Sequence, residues 1–275
     1  MSPSAPVSYP DFPPLTKAPS PTSVVKRLYL CRHGQTSANA SGVLQGSGID
    51  QPLNEEGTLQ AERLRDRLAT VPCDIVISSQ LQRARQTAQL VHQKHQSVPF
   101  LEVAELAEIS WGDWEGTVPN GESPLEVEKR SVQAVYDLLD RPESNLIIVI
   151  HGRLLRIIMS SLFYRSLSRM SEFVHHNTCI NVVDVIVEKD HGKLDKGPPL
   201  NTSLDTLSTF ARTPSGNRVL DDNVKIQPET SAKIEGAFNR PRKSDGPETW
   251  VAHPKQFTFV PVVLDSIDHL PEVER

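Results

Sequence analysis

The chain of 275 residues is long enough for one large domain, and its 37 % hydrophobic residues suffice for a buried core. The formal net charge of -5 excludes a broadly basic surface, so we expect no nucleic acid and no membrane as a main partner. The odd set of cysteines, Cys31, Cys73 and Cys179, argues against a secreted disulfide framework and favours a cytoplasmic protein.

The chain divides into a domain and two segments of different composition. Residues 1–24 hold seven of the 22 prolines and have no hydrophobic period, so we expect a disordered, mobile Pro/Ser-rich tail outside the fold. Residues 25–275 are expected to form the domain. Within it, residues 190–255 are rich in Gly, Pro, Ser, Thr and charge, which predicts a disordered insertion in an edge hairpin.

Apolar runs and amphipathic stretches alternate through the rest of the chain. The apolar runs predict strands at 25–32, 73–78, 145–150, 179–187 and 257–264, the last containing Pro261 as an edge strand would. The amphipathic stretches predict helices at 55–70, 80–95, 122–140 and 153–167, the third opened by a capping box of Ser123 and Glu126 around Pro124. This alternation predicts an α/β fold, a three-layer α/β/α sandwich with a mostly parallel central sheet.

A histidine followed by a glycine stands at the carboxyl end of two of the predicted strands. Arg32 and His33 follow the first strand, with Gly34 behind them allowing a sharp turn, and His151 and Gly152 follow the run at 145–150. One such pair could be a structural histidine with a solvated neighbour. Two pairs at the carboxyl ends of buried strands, where α/β folds bind ligands, predict an anion site.

Two further segments add groups suited to phosphate chemistry. Ser79 is a candidate N-cap for the helix whose first turn carries Arg83, and helix N-termini and guanidinium groups both favour phosphate. Arg85, two residues on, is interpreted as an ordinary surface arginine. Glu108 lies in an apolar and aromatic stretch, which suits a general acid.

Taken together, six segments carry a resemblance to a known family: RHGQTSAN, LQG, SSQLQRARQTA, LAEISWGDWEG, GES and HG. In this order and at this spacing they resemble the histidine phosphatase superfamily, in the branch that contains the cofactor-dependent phosphoglycerate mutases and related phosphatases. The resemblance covers most of residues 26–188, and DSIDHL near the end of the chain is similar to a common family ending. It implies a phosphoglycerate mutase-like fold and no metal or other cofactor.

The resemblance also implies a role for each matched residue. His33 would attack phosphorus, while Arg32, Arg83 and His151 would hold the phosphoryl oxygens. Glu108 would protonate the leaving alcohol and then activate water. The family positions that contact substrate correspond to Gln35, Asn39, Gln45, Gly46 and Gly152, together with Arg32, Arg83, Glu108 and His151. The expected function is metal-independent hydrolysis of a small-molecule phosphomonoester through a phosphohistidine.

Three alternatives remain beside this function. A mutase is disfavoured because only a few residues separate WEG from GES, where many relatives insert a lid. Arg153 stands where family members often have a second glycine, which predicts an altered floor or rim of the pocket. A metal site at His175 and His176 is disfavoured because adjacent strand residues point to opposite faces and no carboxylate stands at a ligand spacing. An inactive binding module is disfavoured because the whole catalytic set is present.

Two charged segments are interpreted without a catalytic role. Lys129 and Arg130 lie on the helix predicted at 122–140 and are expected to form a solvated face. The basic stretch at 239–246 is weak evidence for a nuclear-localisation signal, and a solvated linker is the favoured interpretation. Protein partners of the disordered segments are conceivable, but the sequence identifies none.

Overall fold

The computed structural model describes residues 9–112, 121–188 and 257–271. The strands are β1 (Ser23–Arg32), β2 (Ile75–Ser79), β3 (Phe100–Val103), β4 (Asn145–Ile150), β5 (Ile180–Glu188) and β6 (Phe257–Ser266). The helices are α1 (Ser37–Ala40), α2 (Glu55–Leu68), α3 (Gln82–His92), α4 (Pro124–Leu139) and α5 (Gly152–Tyr164). Within these ranges, none of the helices has the length and apolar character needed to cross a membrane.

The six strands form one sheet in the order β3-β2-β4-β1-β5-β6. The first four run parallel, and β5 and β6 pair antiparallel at the far edge, so the predicted α/β fold with a mostly parallel sheet is confirmed. Because β4 lies between β2 and β1, the carboxyl ends of β1 and β4 are neighbours, with Arg32 opposite Ile150. The insertion predicted at 190–255 lies outside the described residues.

Helices cover both faces of the sheet, as the three-layer prediction requires. Leu28 and Leu30 of β1 pack in a core with α4 and α5, whereas Tyr29 and Cys31 pack on the other face with α2 and α3. The apolar residues of β4 after Asn145 are buried throughout and divide between the same two cores. Alternation along β1 and the uniformly apolar β4 therefore reflect a sheet covered on both sides.

Two predictions from local sequence, the capping box of α4 and the edge strand containing Pro261, agree with the structure. The Ser123–Glu126 capping box is present, with Pro124 opening α4, and Pro261 lies in the edge strand β6. The prediction that Ser79 caps α3 is wrong. Leu81 occupies the N-cap, while the Ser79 Oγ accepts a hydrogen bond from the Leu81 N–H at 3.3 Å, before the helix starts.

The described part of the N-terminal tail packs against the domain, which corrects the prediction that the tail lies outside the fold. The Arg27 guanidinium donates to the carbonyl oxygens of Pro13 at 2.7 Å and Pro14 at 3.1 Å. The Phe12 ring lies 3.8 Å below the Arg67 guanidinium. These contacts join the tail to β1 and α2 by hydrogen bonds to a buried cation and by a cation–π contact.

Candidate active site

Two histidines meet where β1 and β4 end. The backbone N–H of His33 donates to the carbonyl oxygen of Ile150 at 2.9 Å, which extends the parallel ladder by one residue. This register brings the ring of His33 within 5.2 Å of the ring of His151, measured between centroids. Their exposed fractions are 3 % and 0 %. The two His-Gly pairs found in the sequence thus belong to one site.

The hydrogen bonding of His33 defines which of its nitrogens is free to react. Nδ1 lies 2.6 Å from the carbonyl oxygen of Gly34, and because a carbonyl only accepts, Nδ1 carries the proton. Burial, followed by the charges of Arg83 and Arg32, holds the pKa of His33 well below its usual range. The ring is therefore neutral near pH 7, with a lone pair on Nε2.

Two arginines bring positive charge to the histidine pair. Arg32 Nη1 donates to the carbonyl oxygen of His175 at 2.6 Å. Arg83 is 1 % exposed and donates from Nη1 to Ile49 at 3.0 Å and from Nη2 to Gly46 at 3.1 Å, in both cases to the carbonyl oxygen. A carbonyl oxygen orients a guanidinium without cancelling its charge, so both groups remain suited to an anion.

His151 is a buried polar side chain whose ring makes no hydrogen bond with the described residues. Neither Nδ1 nor Nε2 has a partner among them. Burial, then the charges of Arg83, His33 and Arg32, holds the pKa of His151 well below its usual range. Buried polar groups are normally satisfied, so an imidazole left open beside two guanidinium groups indicates a place for a ligand with oxygen acceptors.

Glu108 reaches the same site from the segment that follows β3. It is 5 % exposed, and its Oε1 accepts hydrogen bonds from the N–H groups of Ile109 and Leu154, both at 3.0 Å. Its Oε2 accepts one from the N–H of Arg153 at 3.1 Å. The carboxylate therefore caps the N-terminus of α5, immediately after His151, where the helix dipole favours negative charge.

Arg130 braces the segment that carries Glu108. The sequence did not reveal this contact. Its guanidinium donates to the carbonyl oxygens of Ala107 at 2.8 Å and Glu108 at 3.2 Å, and it pairs with the Glu122 carboxylate at 2.6 Å. Glu122 in turn accepts from the Ser110 N–H at 2.9 Å. The prediction that this face of α4 is only solvated is therefore wrong for Arg130.

The backbone after His33 is held by two residues that sequence reasoning missed. The Asn177 Nδ2 donates to the His33 carbonyl oxygen at 3.0 Å, and the Thr178 N–H donates to it at 3.3 Å. Asn39, a predicted binding residue, accepts from the Thr36 N–H through its Oδ1 at 3.1 Å. That contact turns Asn39 so that its amide NH₂ group remains as a donor. Asn177 follows an irregular segment, and no local sequence pattern distinguishes it as a functional residue.

Three other predicted binding residues shape the loops around the site. The Gln35 Oε1 accepts from Asn54 Nδ2 at 2.9 Å, and Gln45 joins Thr36 to Ile49 through contacts at 2.8 Å and 3.0 Å. Gly46 supplies a carbonyl oxygen to the arginine described above. The structure thus gives all three a role within the loops, and direct contact with substrate stays a prediction.

Both glycines that follow the two histidines are closely packed. A Cβ on Gly34 would lie 2.3 Å from the carbonyl oxygen of Gly57, and one on Gly152 would lie 3.2 Å from Arg32 Nε. Gly34 is not among the positive-φ residues, so the expectation that it provides a sharp turn is replaced by a close approach to α2. At Gly152 the missing side chain lets α5 begin against the guanidinium of Arg32.

Three side chains able to bind metal do lie close to one another. His175, Cys179 and Asp265 offer ligand atoms within 4.8 Å of one another, so a carboxylate that no local spacing revealed arrives from β6. The carboxylate oxygens of Asp265 already accept hydrogen bonds from the backbone N–H of His176 at 3.1 Å and from its ring Nδ1 at 2.8 Å. Burial raises the pKa of the Cys179 thiol well above its usual range, which opposes the thiolate that metals bind.

Comparison with known proteins identifies the family. The model of the histidine phosphatase superfamily (branch 1) matches residues 28–118 and 116–194, more than half of the chain. The chain belongs to the histidine phosphatase superfamily. This histidine phosphatase is 30 % identical over 184 residues to the adenosylcobalamin/alpha-ribazole phosphatase of Salmonella typhimurium, which covers 58 % of the chain and 90 % of that relative.

Two further comparisons describe its place in the family. The histidine phosphatase is 31 % identical over 160 residues to the probable phosphoglycerate mutase GpmB of Proteus mirabilis, covering 50 % of the chain and 74 % of the relative. The crystal structure of the alpha-ribazole phosphatase from Shigella flexneri is similar with a TM-score of 0.52 at 28 % identity, covering 57 % and 89 % of the two chains. The fold is thus phosphoglycerate mutase-like, and the protein is an enzyme of the phosphoric monoester hydrolase type.

Proposed function

We propose that this enzyme hydrolyses small-molecule phosphomonoesters through phosphorylation of His33 and requires no metal ion. The observation that carries the proposal is the state of the histidine: Nδ1 donates to the Gly34 carbonyl oxygen at 2.6 Å and Nε2 keeps its lone pair. This neutral ring lies beside the open imidazole of His151 and near the charges of Arg32 and Arg83. A nucleophile beside several donors for phosphoryl oxygens is what phosphohistidine chemistry needs.

In the first step, His33 Nε2 attacks phosphorus as the ester P–O bond breaks. The side chains of Arg32, Arg83 and His151 stabilise the charge on the transferring phosphoryl oxygens. The leaving oxygen takes a proton from Glu108. In the second step, water attacks phosphorus and gives its proton to the same carboxylate, and the N–P bond breaks to release inorganic phosphate.

The geometry of Glu108 favours one of its oxygens for this proton. Among the described residues, Oε1 accepts two backbone hydrogen bonds, whereas Oε2 accepts one, from Arg153. A carboxyl oxygen offers about two lone pairs, so Oε2 keeps one for a proton. The brace formed by Arg130 fixes the backbone from which this side chain extends.

A phosphotransferase of the mutase type is the second candidate, supported by the similarity to the probable phosphoglycerate mutase GpmB. Such an enzyme returns the phosphoryl group to a second hydroxyl and must keep water out during the transfer. The few residues between the WEG and GES segments offer little material for a cover, which favours hydrolysis. A third candidate, an inactive module that only binds phosphorylated ligands, would have no need of Glu108.

A cytoplasmic location is also proposed, because Cys31, Cys73 and Cys179 are free thiols in the structure and suit a reducing compartment. The nuclear alternative depends on residues 239–246, which lie outside the described residues. The negative net charge supports a small-molecule substrate over nucleic acid or a membrane surface. No partner protein is proposed for the N-terminal tail or for the insertion at 190–255.

The test measures phosphate release from p-nitrophenyl phosphate in EDTA, with wild type, His33→Ala and the matched control His92→Ala. His92 is partly buried at the end of α3 and bonds to the Val98 carbonyl oxygen, away from the site. We expect turnover by wild type and the control, none by His33→Ala, and an acid-labile phosphohistidine in wild type after rapid quenching. Circular dichroism would verify that each variant is folded.

Each alternative has its own result in this experiment. Equal turnover by wild type and His33→Ala would refute the nucleophile assignment, and loss of activity in EDTA would refute metal independence. Conversion of 3-phosphoglycerate to its isomer, without phosphate release, would support the mutase. A folded wild type that binds vanadate but turns over neither substrate would support the binding module.

A further inference from the structure

Arg153 occupies the boundary between the phosphoryl-binding groups and the proposed general acid. It is the second residue of α5, and its backbone N–H donates to Glu108 Oε2 at 3.1 Å. The residue before it, Gly152, packs against Arg32, whose Nε would lie 3.2 Å from a Cβ at that position. Because Glu108 protonates the leaving oxygen in the proposed mechanism, Arg153 lies on the side of the site where the leaving group is held.

The guanidinium of Arg153 differs from those of Arg32 and Arg130 in its partners. Arg32 is anchored by the His175 carbonyl oxygen, and Arg130 is paired with the Glu122 carboxylate. No hydrogen bond or ion pair joins the guanidinium of Arg153 to any residue that the structure describes. The residue is half-buried, so this cation is partly removed from water, and the described residues supply no counter-ion for it.

Arg153 lies in the first turn of α5, at the end of the helix that adjoins the site. Side chains in the first turn of a helix lean back towards its N-terminus, which here is the end that carries His151 and Glu108. The first turn of α5 contains no acidic residue, and its Arg153 and Leu154 N–H groups already donate to the Glu108 carboxylate, so the guanidinium of Arg153 is the cation that this turn offers to a ligand. His151, fully buried and without a hydrogen-bond partner in the described residues, places the proposed phosphoryl-binding site at this same end of α5.

From this arrangement we propose that Arg153 is a specificity residue that binds a second anionic group of the substrate. The preferred substrates would then be phosphomonoesters whose leaving group carries a further carboxylate or phosphate. The proposal rests on the proposed phosphatase function and adds the class of substrate to it. A guanidinium binds both kinds of anion through paired N–H donors, so one residue serves either group.

The experiment compares two esters that differ only in one charge: 3-carboxyphenyl phosphate and 3-carbamoylphenyl phosphate. The enzymes are wild type, Arg153→Gln, Arg153→Lys and the matched control Arg85→Gln. Arg85 is a partly exposed arginine on α3 whose guanidinium lies 3.7 Å from the carboxylate of Glu102. The backbone N–H to Glu108 is retained in every variant, so the general acid keeps its anchor.

Wild type should prefer the carboxylate ester in kcat/KM, and Arg153→Gln should lose about ten- to hundredfold on it while changing less than about twofold on the amide. Arg153→Lys should recover part of the loss, and Arg85→Gln should behave as wild type. Equal losses on both esters, or no preference in wild type, would overturn the inference and leave the phosphatase function standing. No turnover of either ester by folded wild type would refute the proposed function, and the inference with it.

Discussion

Acidification should destabilise the folded enzyme through three histidines that the fold buries in neutral form. Burial, reinforced by nearby arginines, holds the pKa of His33, His151 and His175 well below the usual 6.5. As the pH falls through this value, each of them takes up a proton in the unfolded chain and stays neutral in the folded one. Stability is therefore complete above the unfolded pKa and is lost progressively as the pH falls below it.

The size of this loss follows from the proton uptake of the unfolded state. Between pH 7.5 and pH 5.5, a histidine with a pKa of about 6.5 goes from about 10 % to about 90 % protonated, which favours unfolding by about 1.4 kcal/mol. Three such residues give about 4 kcal/mol, a large part of the roughly 5–15 kcal/mol that holds a typical domain folded. His95, whose pKa is also lowered by burial, adds to the same trend.

Urea unfolding, followed by tryptophan fluorescence at the two pH values, measures this difference. With a slope of about 2 kcal/mol per molar urea, the midpoint should fall by about 2 M on acidification. Carboxyl groups titrate mainly below this window, so histidines dominate the change. The variant His175→Asn should remove about a third of the pH-dependent difference and lies outside the proposed catalytic set. Equal free energies of unfolding at both pH values would contradict neutral burial.

Two further predictions concern the brace and the tail. Arg130→Lys keeps the charge but loses the forked donors that hold the Glu108 segment, so kcat/KM should fall by about ten- to hundredfold, most for alkyl phosphates with poor leaving groups. Lys129→Gln, on the neighbouring position, is the control, and an equal loss there would contradict the brace. Deleting residues 1–20 removes two hydrogen-bond acceptors from Arg27, so Tm should fall by about 4–8 °C while kcat stays unchanged. Differential scanning calorimetry measures the Tm. An unaltered Tm would show that the tail contacts do not contribute to stability.

Features set by neighbouring residues were predictable from the chain. The apolar β4 run and the capping box of α4 are visible within a few neighbouring residues, and both are present in the structure. β3 and α1 were not predicted because each has only four residues, too few to show a period. The Ser79 cap failed because a plausible capping residue does not establish at which residue a helix begins.

The sequence alone determined the fold class and the main catalytic candidates. His33 and His151 each follow an apolar strand in the chain, and parallel pairing of those strands necessarily brings their ends together. A strand period and its terminal residues are local properties, so they can be read without knowing the packing. The family resemblance of the segments around them then implied the role of each residue.

Only the tertiary structure decided how the site is supported. The Glu108 carboxylate caps a helix that begins more than 40 residues later, Arg130 braces its backbone, and Asp265 reaches the His175 region from β6. It also revealed that Arg153 has no counter-ion among the described residues. Each of these contacts joins residues far apart in the chain, and no local pattern encodes them, because they arise only when the layers pack and bring separate segments together.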